Sequence, residues 1–176
     1  MKDTVLQQQI GDCFIAYHLQ GDTVYSIEWG NTSMKNTSKQ KFEVLGNGVL
    51  SIFKSDENSI LLSQGCGTSC TSYVFLPIKE NAVERVYDFA LASNLKNNLV
   101  AYIPNNSDEI FARVENYLTG QKMDIVETNL CPANFKGDCI DSIYFDKSLL
   151  VLKWESSKWE NNKPATHIKV IPIKFD

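Results

Sequence analysis

The clearest structural signal in the chain is the stretch at residues 142–154, which reads SIYFDKSLLVLKW. Two runs of apolar and aromatic residues flank the polar turn Asp146-Lys147-Ser148. In the second run Leu150, Leu152 and Trp154 recur at every second position, so an extended chain places them on one face. Such runs around a short polar turn are typical of a β-hairpin. The stretch therefore predicts two antiparallel strands with one buried face.

The same signature recurs towards the N-terminus. Gly21-Asp22 separates Cys13–Leu19 from Thr23–Trp29, and residues 46–48 (Gly-Asn-Gly) separate residues 42–45 from residues 49–54. Both patterns predict hairpins. Further apolar runs bounded by turn residues predict more strands, at Ile60–Ser63, Thr71–Ile78, Arg85–Leu91, Leu99–Ile103 and His167–Phe175.

These segments predict an all-β fold built mainly from antiparallel hairpins, arranged as a sandwich, a barrel or a propeller-like meander. The polar stretches Asn31–Gln40 and Glu155–Pro164 contain no apolar alternation, so we predict surface loops there. No shift in composition marks a boundary inside the chain. We therefore expect a single β domain over residues 1–176.

Residues 107–119 allow two interpretations. Ser107-Asp108-Glu109 has the composition of a helix start, and the apolar residues that follow lie at helical spacing up to Gly120. The competing interpretation is a hairpin, with strands at Ile110–Asn116 and Lys122–Glu127 around the turn pair Thr119-Gly120. We favour the hairpin, because Leu99–Ile103 needs a neighbouring strand. One short helix at 107–119 is the alternative.

Composition and charge exclude some classes of partner. The chain has 176 residues, a net charge of -4 and 43% hydrophobic residues, which indicates an ordinary globular protein. Its lysines alternate with acidic or apolar residues, whereas nucleic-acid binding needs a clustered basic face. No apolar run approaches the roughly 20 residues that span a bilayer. We expect no nucleic-acid partner and no membrane span.

The five cysteines bear on the cellular compartment. Cys66 and Cys70 lie close in sequence, as do Cys131 and Cys139, and each pair lies in a turn that contains Gly or Pro. Disulfides within these pairs are the favoured interpretation, although five reduced cysteines in a cytosolic protein are the alternative. Cys13 is left over, beside apolar neighbours. The polar N-terminus shows no signal core, so a periplasmic or secreted protein requires a signal peptide removed before Met1.

Two interpretations are possible for the motif Gln64-Gly65-Cys66-Gly67-Thr68-Ser69-Cys70, a catalytic cysteine and a turn. Gln64 and Cys70 have the spacing of the glutamine and the nucleophilic cysteine in papain-like proteases. Such a cysteine needs a helix N-terminus, and Thr71–Pro77 reads as a strand, so a turn is favoured. The segment from Gly65 to Cys70 resembles one in uncharacterised bacterial periplasmic or secreted proteins. That resemblance implies a periplasmic or secreted location and brings no known activity.

Candidate metal ligands and cofactor motifs are sparse. His18 and His167 each lie within a predicted strand, and we expect His18 to be half-buried and His167 solvated. The acidic residues Asp138, Asp141 and Asp146 lack the spacing of a calcium loop, which indicates solvated turn acids. No phosphate-binding or nucleophile motif occurs. We predict no metal, no cofactor and no catalytic residues.

Trp159 is the one candidate interface residue, because it stands in the polar run Glu155–Pro164. An exposed Trp in a loop is a typical interface anchor. The alternative is a lid over one end of the core. The leading hypothesis for function is a non-catalytic binding protein of the bacterial cell envelope, of the inhibitor or immunity type, whose partner is another protein. The alternatives are a structural or accessory envelope protein that assembles through a sheet edge, and a hydrolase with an acidic site.

Overall fold

The computed structural model describes residues 4–44, 48–67, 70–105, 110–127, 136–160 and 163–175. Strands dominate these residues, and the helical parts are two short 3-10 helices, Leu95–Asn97 and Lys136–Cys139. The strands form four antiparallel sheets, each of which stays open over the described residues. The predicted all-β class is confirmed, and the barrel alternative is wrong for these sheets.

The first sheet has five strands in the order β1-β2-β3-β4, and β5 pairs with β3 beside β4. Their bounds are β1 Thr4–Ile10, β2 Cys13–Gln20, β3 Val24–Asn31, β4 Lys35–Thr37 and β5 Phe42–Glu43. The turn between β2 and β3 contains Gly21, whose φ of 71° suits glycine. The hairpin predicted from Gly21-Asp22 is confirmed, with Gln20 opposite Val24.

The second sheet has the order β6-β7-β8-β9. Its strands are β6 Ser51–Ser55, β7 Ser59–Gly67, β8 Cys70–Pro77 and β9 Arg85–Tyr87. The turn between β6 and β7 is held by Asp56, whose Oδ1 accepts hydrogen bonds from the N–H groups of Asn58 and Ser59 at 2.9 Å. β8 ends at Pro77, where a missing N–H is tolerated.

The third sheet has the order β10-β11-β12-β13, with β10 Ala90–Asn94, β11 Leu99–Tyr102, β12 Ala112–Asn116 and β13 Lys122–Ile125. The hairpin interpretation of this region is confirmed, and a helix is wrong over 110–119. Residues 106–109, with the proposed helix start, lie outside the described residues. Asn116 explains the turn, because its Oδ1 accepts hydrogen bonds from Leu118 N and Thr119 N at 3.0 and 3.1 Å.

The fourth sheet has the order β14-β15-β16. Its strands are β14 Ile140–Asp146, β15 Leu149–Glu160 and β16 Lys163–Pro172. The predicted hairpin at 142–154 is confirmed, with Asp146 opposite Leu149. The last strand pairs with β15 from Leu149 opposite Pro172 to Glu160 opposite Lys163.

By its internal contacts the chain divides into two compact units. The first comprises Met1–Gln64 and Tyr73–Val86, and the second comprises Gly65–Ser72 and Tyr87–Asp176. Each unit has a hydrophobic core of its own. The expectation of one domain over 1–176 stays a prediction.

Buried aromatic residues fill the core of the first unit. Trp29 is fully buried, and its indole N–H donates to the carbonyl of Pro77 at 2.9 Å. Tyr17 donates to the Leu50 carbonyl at 2.8 Å, and Tyr25 accepts from the Leu50 N–H at 2.9 Å. Burial raises the pKa of Tyr17 and of Tyr25 above the usual value of a phenol. The polar atoms of these core aromatics therefore have partners, as burial requires.

The core of the second unit lies between the third and fourth sheets. Leu150, Leu152 and Trp154 are buried there, as the alternation of residues 142–154 predicts. The ring of Trp154 lies 5.7 Å from that of Phe111. The strand alternation that indicated the fold is thus the pattern that supplies this core.

Three segments differ from the sequence-based expectations. The polar stretch 31–40 contains β4, and its Asn36 is buried, with Nδ2 donating to the Lys79 carbonyl and Oδ1 accepting from Ala82 N, both at 3.0 Å. A hairpin over 42–54 is wrong, because β5 pairs with β3 whereas β6 pairs with β7. The stretch 155–164 is no loop, because β15 continues to Glu160.

Candidate interaction surface

Trp159 lies on the part of the β15–β16 hairpin that extends past the core, which we call the hairpin arm (residues 155–160 and 163–166). Its side chain is 70% exposed, so the lid interpretation is wrong. Trp159 pairs with Pro164 beyond a register shift that follows Glu155. A β-bulge of this kind lengthens one strand locally and can re-aim its side chains. The ladder therefore presents Trp159 on paired backbone instead of on a loop.

The base of the hairpin arm is fixed to the core. His167 stacks on Trp154, with ring centroids 5.2 Å apart, and its Nε2 lies 2.8 Å from Oγ of Ser156. Ser156 is fully buried, and Ala165 of β16 is buried as well. His167 is thus half-buried, because it covers the edge of Trp154, and the expectation of a solvated histidine is wrong. These contacts hold the arm in one orientation.

Trp159 belongs to a larger apolar surface, the outer face of the fourth sheet. Cross-strand partners share a face, which places Tyr144, Val151 and Val170 in one row. Alternation along β16 adds Ile168 and Pro164 to the same face. The exposed fractions are 53% for Tyr144, 56% for Val170 and 68% for Ile168. We use the term outer face for Tyr144, Val151, Trp159, Pro164, Ile168 and Val170.

Few charges interrupt the outer face. Lys153 lies opposite Ile168, and its ammonium group contacts Oδ2 of Asp141. That hydrogen bond raises the pKa of Lys153. Lys169 lies on the opposite face of β16 and forms an ion pair with Glu127. The outer face is consequently mainly apolar, and the exposed acids Asp146 and Glu155 lie on the same side of the sheet. An apolar centre with polar surroundings is the composition of a protein-binding surface.

A second candidate site is an acidic cleft of about 410 Å³ in the first unit, lined by residues that include Asp12, Cys13, Asn31, Asp56 and Glu57. The oxygen atoms that could bind a ligand are partly used within the fold. Oδ1 of Asn31 accepts from the N–H groups of Ser33 and Met34 at 3.0 Å, and Oδ1 of Asp56 holds the β6–β7 turn. Burial, with the charge of Asp12, raises the pKa of Cys13, which keeps this thiol protonated and poorly nucleophilic.

A third cluster is polar and buried in the second unit. Glu115 accepts hydrogen bonds from the hydroxyl groups of Tyr87 and Tyr102 at 2.8 and 2.9 Å. Burial and the Glu115 carboxylate together raise the pKa of Tyr102 to about 12. Arg113, which lies opposite Tyr102, forms an ion pair with Asp124 that lowers the pKa of this carboxyl group. Because the carboxylate of Glu115 has its hydrogen-bond partners inside the fold, we interpret the cluster as a network that stabilises the structure and not as a ligand site.

The predicted cysteine pairs are described only in part. Cys131 and the side chain of Cys66 lie outside what the structure describes, so Cys66–Cys70 and Cys131–Cys139 stay predicted pairs. Cys70 and Cys139 each take part in a disulfide bond, whereas Cys13 has a free thiol. Cys70 begins β8, a strand, which is unlike the helix that a papain-like nucleophile requires.

The other residues considered from sequence are dispersed. His18 is half-buried as predicted, with its Nε2 3.7 Å from a carboxylate oxygen of Glu28. Asp138, Asp141 and Asp146 are exposed. Within the described residues, no group of three His, Cys, Asp or Glu side chains is placed to hold a metal ion. No helix in this part of the chain is long and apolar enough to cross a membrane.

Sequence reasoning found Trp159 and missed the rest of the outer face. The alternation of Ile168 and Val170 with Ile171 and Ile173 was a visible signal that both faces of the segment 168–173 are apolar. Comparisons with protein-family models, with curated proteins and with solved structures gave no match. The functional argument therefore depends on the geometry of the outer face.

Proposed function

We propose that the chain is a non-catalytic protein-binding module that docks a partner protein on the outer face, with Trp159 as the main anchor. The observation that carries the proposal is a single face on which Tyr144, Val170 and Ile168 lie in neighbouring rows, all more than half exposed. Trp159 lies on the same face, separated from Ile168 by the exposed pair Glu155–Thr166. Isolated apolar residues at a surface need no explanation, but a contiguous apolar patch marks an interaction site.

The energetics favour Trp159 as the anchor. Trp is the residue type most enriched among side chains that dominate binding energy. The backbone pairing of the hairpin arm and the contacts of His167 already order the backbone that carries Trp159 in the unbound chain. Little conformational entropy is therefore lost on association. Loss of such an anchor typically costs 2 kcal/mol or more, which corresponds to about a 30-fold loss of affinity.

Charge and location narrow the class of partner. The net charge of -4 favours a basic partner through electrostatic steering. The resemblance of Gly65–Cys70 to bacterial envelope proteins and the predicted cysteine pairs support a periplasmic or secreted location. An inhibitor or immunity-type protein of the cell envelope combines these properties.

Replacing Trp159 with alanine is expected to abolish capture of the partner. Tagged wild-type chain and the Trp159→Ala variant are incubated with envelope extract of the source cells, and bound proteins are quantified by mass spectrometry. Leu6→Ala is the matched control, because Leu6 is 46% exposed on β1 and does not belong to the outer face. We expect one dominant protein, near one-to-one stoichiometry, that the wild type and Leu6→Ala retain.

The affinity of the purified pair is then measured by calorimetry. A loss of at least about 30-fold for Trp159→Ala, with Leu6→Ala within threefold of the wild type, supports the proposal. Equal affinity for wild type and Trp159→Ala would place the binding surface elsewhere and overturn the proposal.

The proposed compartment has its own test in the oxidation state of the cysteines. Chain isolated from source cells with thiols blocked at lysis should carry one alkyl group, on Cys13, and five after reduction. Intact mass spectrometry counts these groups. Five alkyl groups without reduction would contradict the disulfides and the oxidising compartment together.

Assembly through a sheet edge is the second candidate function, and one observation favours it. β16 is an edge strand of the fourth sheet, and its outward side has no strand partner among the described residues. The hydrolase alternative has less support, because Asp56 in the acidic cleft is already used to hold a turn.

A further inference from the structure

The edge of β16 that has no strand partner in the described part of the chain has a definite set of outward-facing backbone groups. On its inner side, β16 pairs with β15 along most of its length. The N–H of Ile173 donates to the Ser148 carbonyl at 2.9 Å. Because the N–H direction alternates along an antiparallel strand, Thr166, Ile168 and Val170 present their N–H and carbonyl groups away from β15.

Two prolines bound this edge. Pro164 and Pro172 lie an even number of residues from Ile168, as Thr166 and Val170 do. At each of these positions a residue other than proline would direct its N–H outward. They lie at equal distances in sequence on either side of Ile168. The edge therefore offers a short ladder of three outward-facing residues with a symmetric limit at each end.

We propose that this edge pairs with the same edge of a second copy of the chain, antiparallel and centred on Ile168. In that register Ile168 lies opposite Ile168 of the second copy, and Thr166 lies opposite Val170. Each Pro164 falls opposite a Pro172, so the outward carbonyl groups of both prolines receive no N–H donor and the ladder between the copies ends there. The N–H and carbonyl groups of Thr166, Ile168 and Val170 are all paired between the two copies. A strand from another protein would match this edge only if its own backbone lacked N–H groups opposite Pro164 and Pro172.

The side chains of the two copies are compatible in this register. On the outer face, Ile168 and Val170 meet apolar or hydroxyl-bearing partners, and Trp159 of one copy comes into the row of Pro172 and Leu149 of the other. On the opposite face, Lys169 lies across from His167 of the second copy. The charge of Lys169 is already balanced by Glu127, so no uncompensated like charges are opposed.

The small area of the interface between the two copies limits the affinity of the dimer. An interface of one strand and its exposed side chains falls below about 1,200 Å² in total, which is the range of weak complexes. We therefore expect a dissociation constant in the micromolar range. The two-fold register closes on itself, and β14 at the opposite edge is approached by β10, so the expected product is a dimer and not a fibre.

The inference does not depend on the proposed partner protein, and sedimentation equilibrium of the full chain tests it. We expect a monomer–dimer equilibrium for the wild type. Ile168→Pro removes one outward N–H and no bond to β15, and it should weaken dimerisation at least tenfold. Ile168→Val keeps the N–H and a β-branched side chain, and it should dimerise within threefold of the wild type.

Hydrogen exchange of the wild type provides a second readout that is independent of how well Ile168→Pro folds. The amide protons of Thr166, Ile168 and Val170 should gain protection as concentration rises through the dissociation constant, whereas those of Ile171 and Lys169 should stay protected throughout. A chain that is monomeric up to several hundred micromolar, or a dimer in which these three amides exchange freely, overturns the proposal.

The outcomes separate this inference from the proposed function. Trp159→Ala leaves the backbone ladder of β16 intact, so dimerisation should persist while capture of the partner protein is lost. If dimerisation is absent and Trp159-dependent capture persists, self-pairing is wrong and the binding function stands. If the wild type dimerises and captures no partner, the binding function fails and self-pairing stands.

Discussion

Replacing Trp29 with alanine is expected to lower the free energy of unfolding by about 4 kcal/mol. Trp29 is fully buried in the core of the first unit and is among its largest buried side chains. Truncation removes the apolar contacts of the indole and leaves a cavity. It also leaves the Pro77 carbonyl without the donor that lies 2.9 Å away, which adds to the loss. Urea unfolding followed by circular dichroism measures the effect.

Trp159→Ala is the matched control for this experiment. The same substitution at a side chain that is 70% exposed should change stability by no more than about 0.5 kcal/mol. Trp29→Phe retains most of the buried volume and should fall between the two. A loss below about 1 kcal/mol for Trp29→Ala would contradict full burial of the indole in this core.

The sequence was most informative where one face of a strand is buried. The pairs β2–β3, β12–β13 and β14–β15 were predicted from alternating apolar residues around turn pairs, and each is present with a turn at the expected place. In these strands a shift by one residue would turn the whole apolar set towards water. Pattern and pairing are therefore strongly coupled there.

The sequence was least informative where distant contacts hold polar residues. β4 forms in a stretch without apolar alternation, because Asn36 is hydrogen-bonded to residues 79 and 82 and Glu84 accepts from Lys39 N and Gln40 N at 2.8 and 2.9 Å. β1 contains Gln7, Gln8 and Gln9 and pairs through its backbone with β2. No local pattern reports such partners.

The candidate surface was visible in part for the same reason. Trp159 was identified because a Trp in a polar run is unusual, but the continuation of β15 to Glu160 was missed. The hairpin arm has little buried face, so its pairing leaves only a weak apolar pattern. Placing Tyr144 and Val151 beside Val170 needed the register of three strands, which sequence spacing alone does not supply.

Gly30→Ala is expected to destabilise the chain by about 3 kcal/mol through a steric clash. A Cβ added at Gly30 would lie 2.1 Å from the carbonyl oxygen of Met34 and 2.9 Å from its carbonyl carbon. Both are backbone atoms, and the same oxygen accepts a hydrogen bond from Asn31 N at 3.0 Å. Relief of the clash must therefore open the turn between β3 and β4. Thermal and urea unfolding measure the loss.

Gly65→Ala is the control that separates the clash from the general effect of removing a glycine. A Cβ at Gly65 meets no atom within 4 Å, and Gly65 lies within β7. The substitution lowers the conformational entropy of the unfolded chain, so stability should stay equal or rise by less than about 1 kcal/mol. Opposite signs for the two variants would show that the approach of Met34 to Gly30 determines the outcome. Equal stability of Gly30→Ala and the wild type would contradict this prediction. It would mean that the β3–β4 turn is more open than the pairing of Gly30 with Lys35 implies.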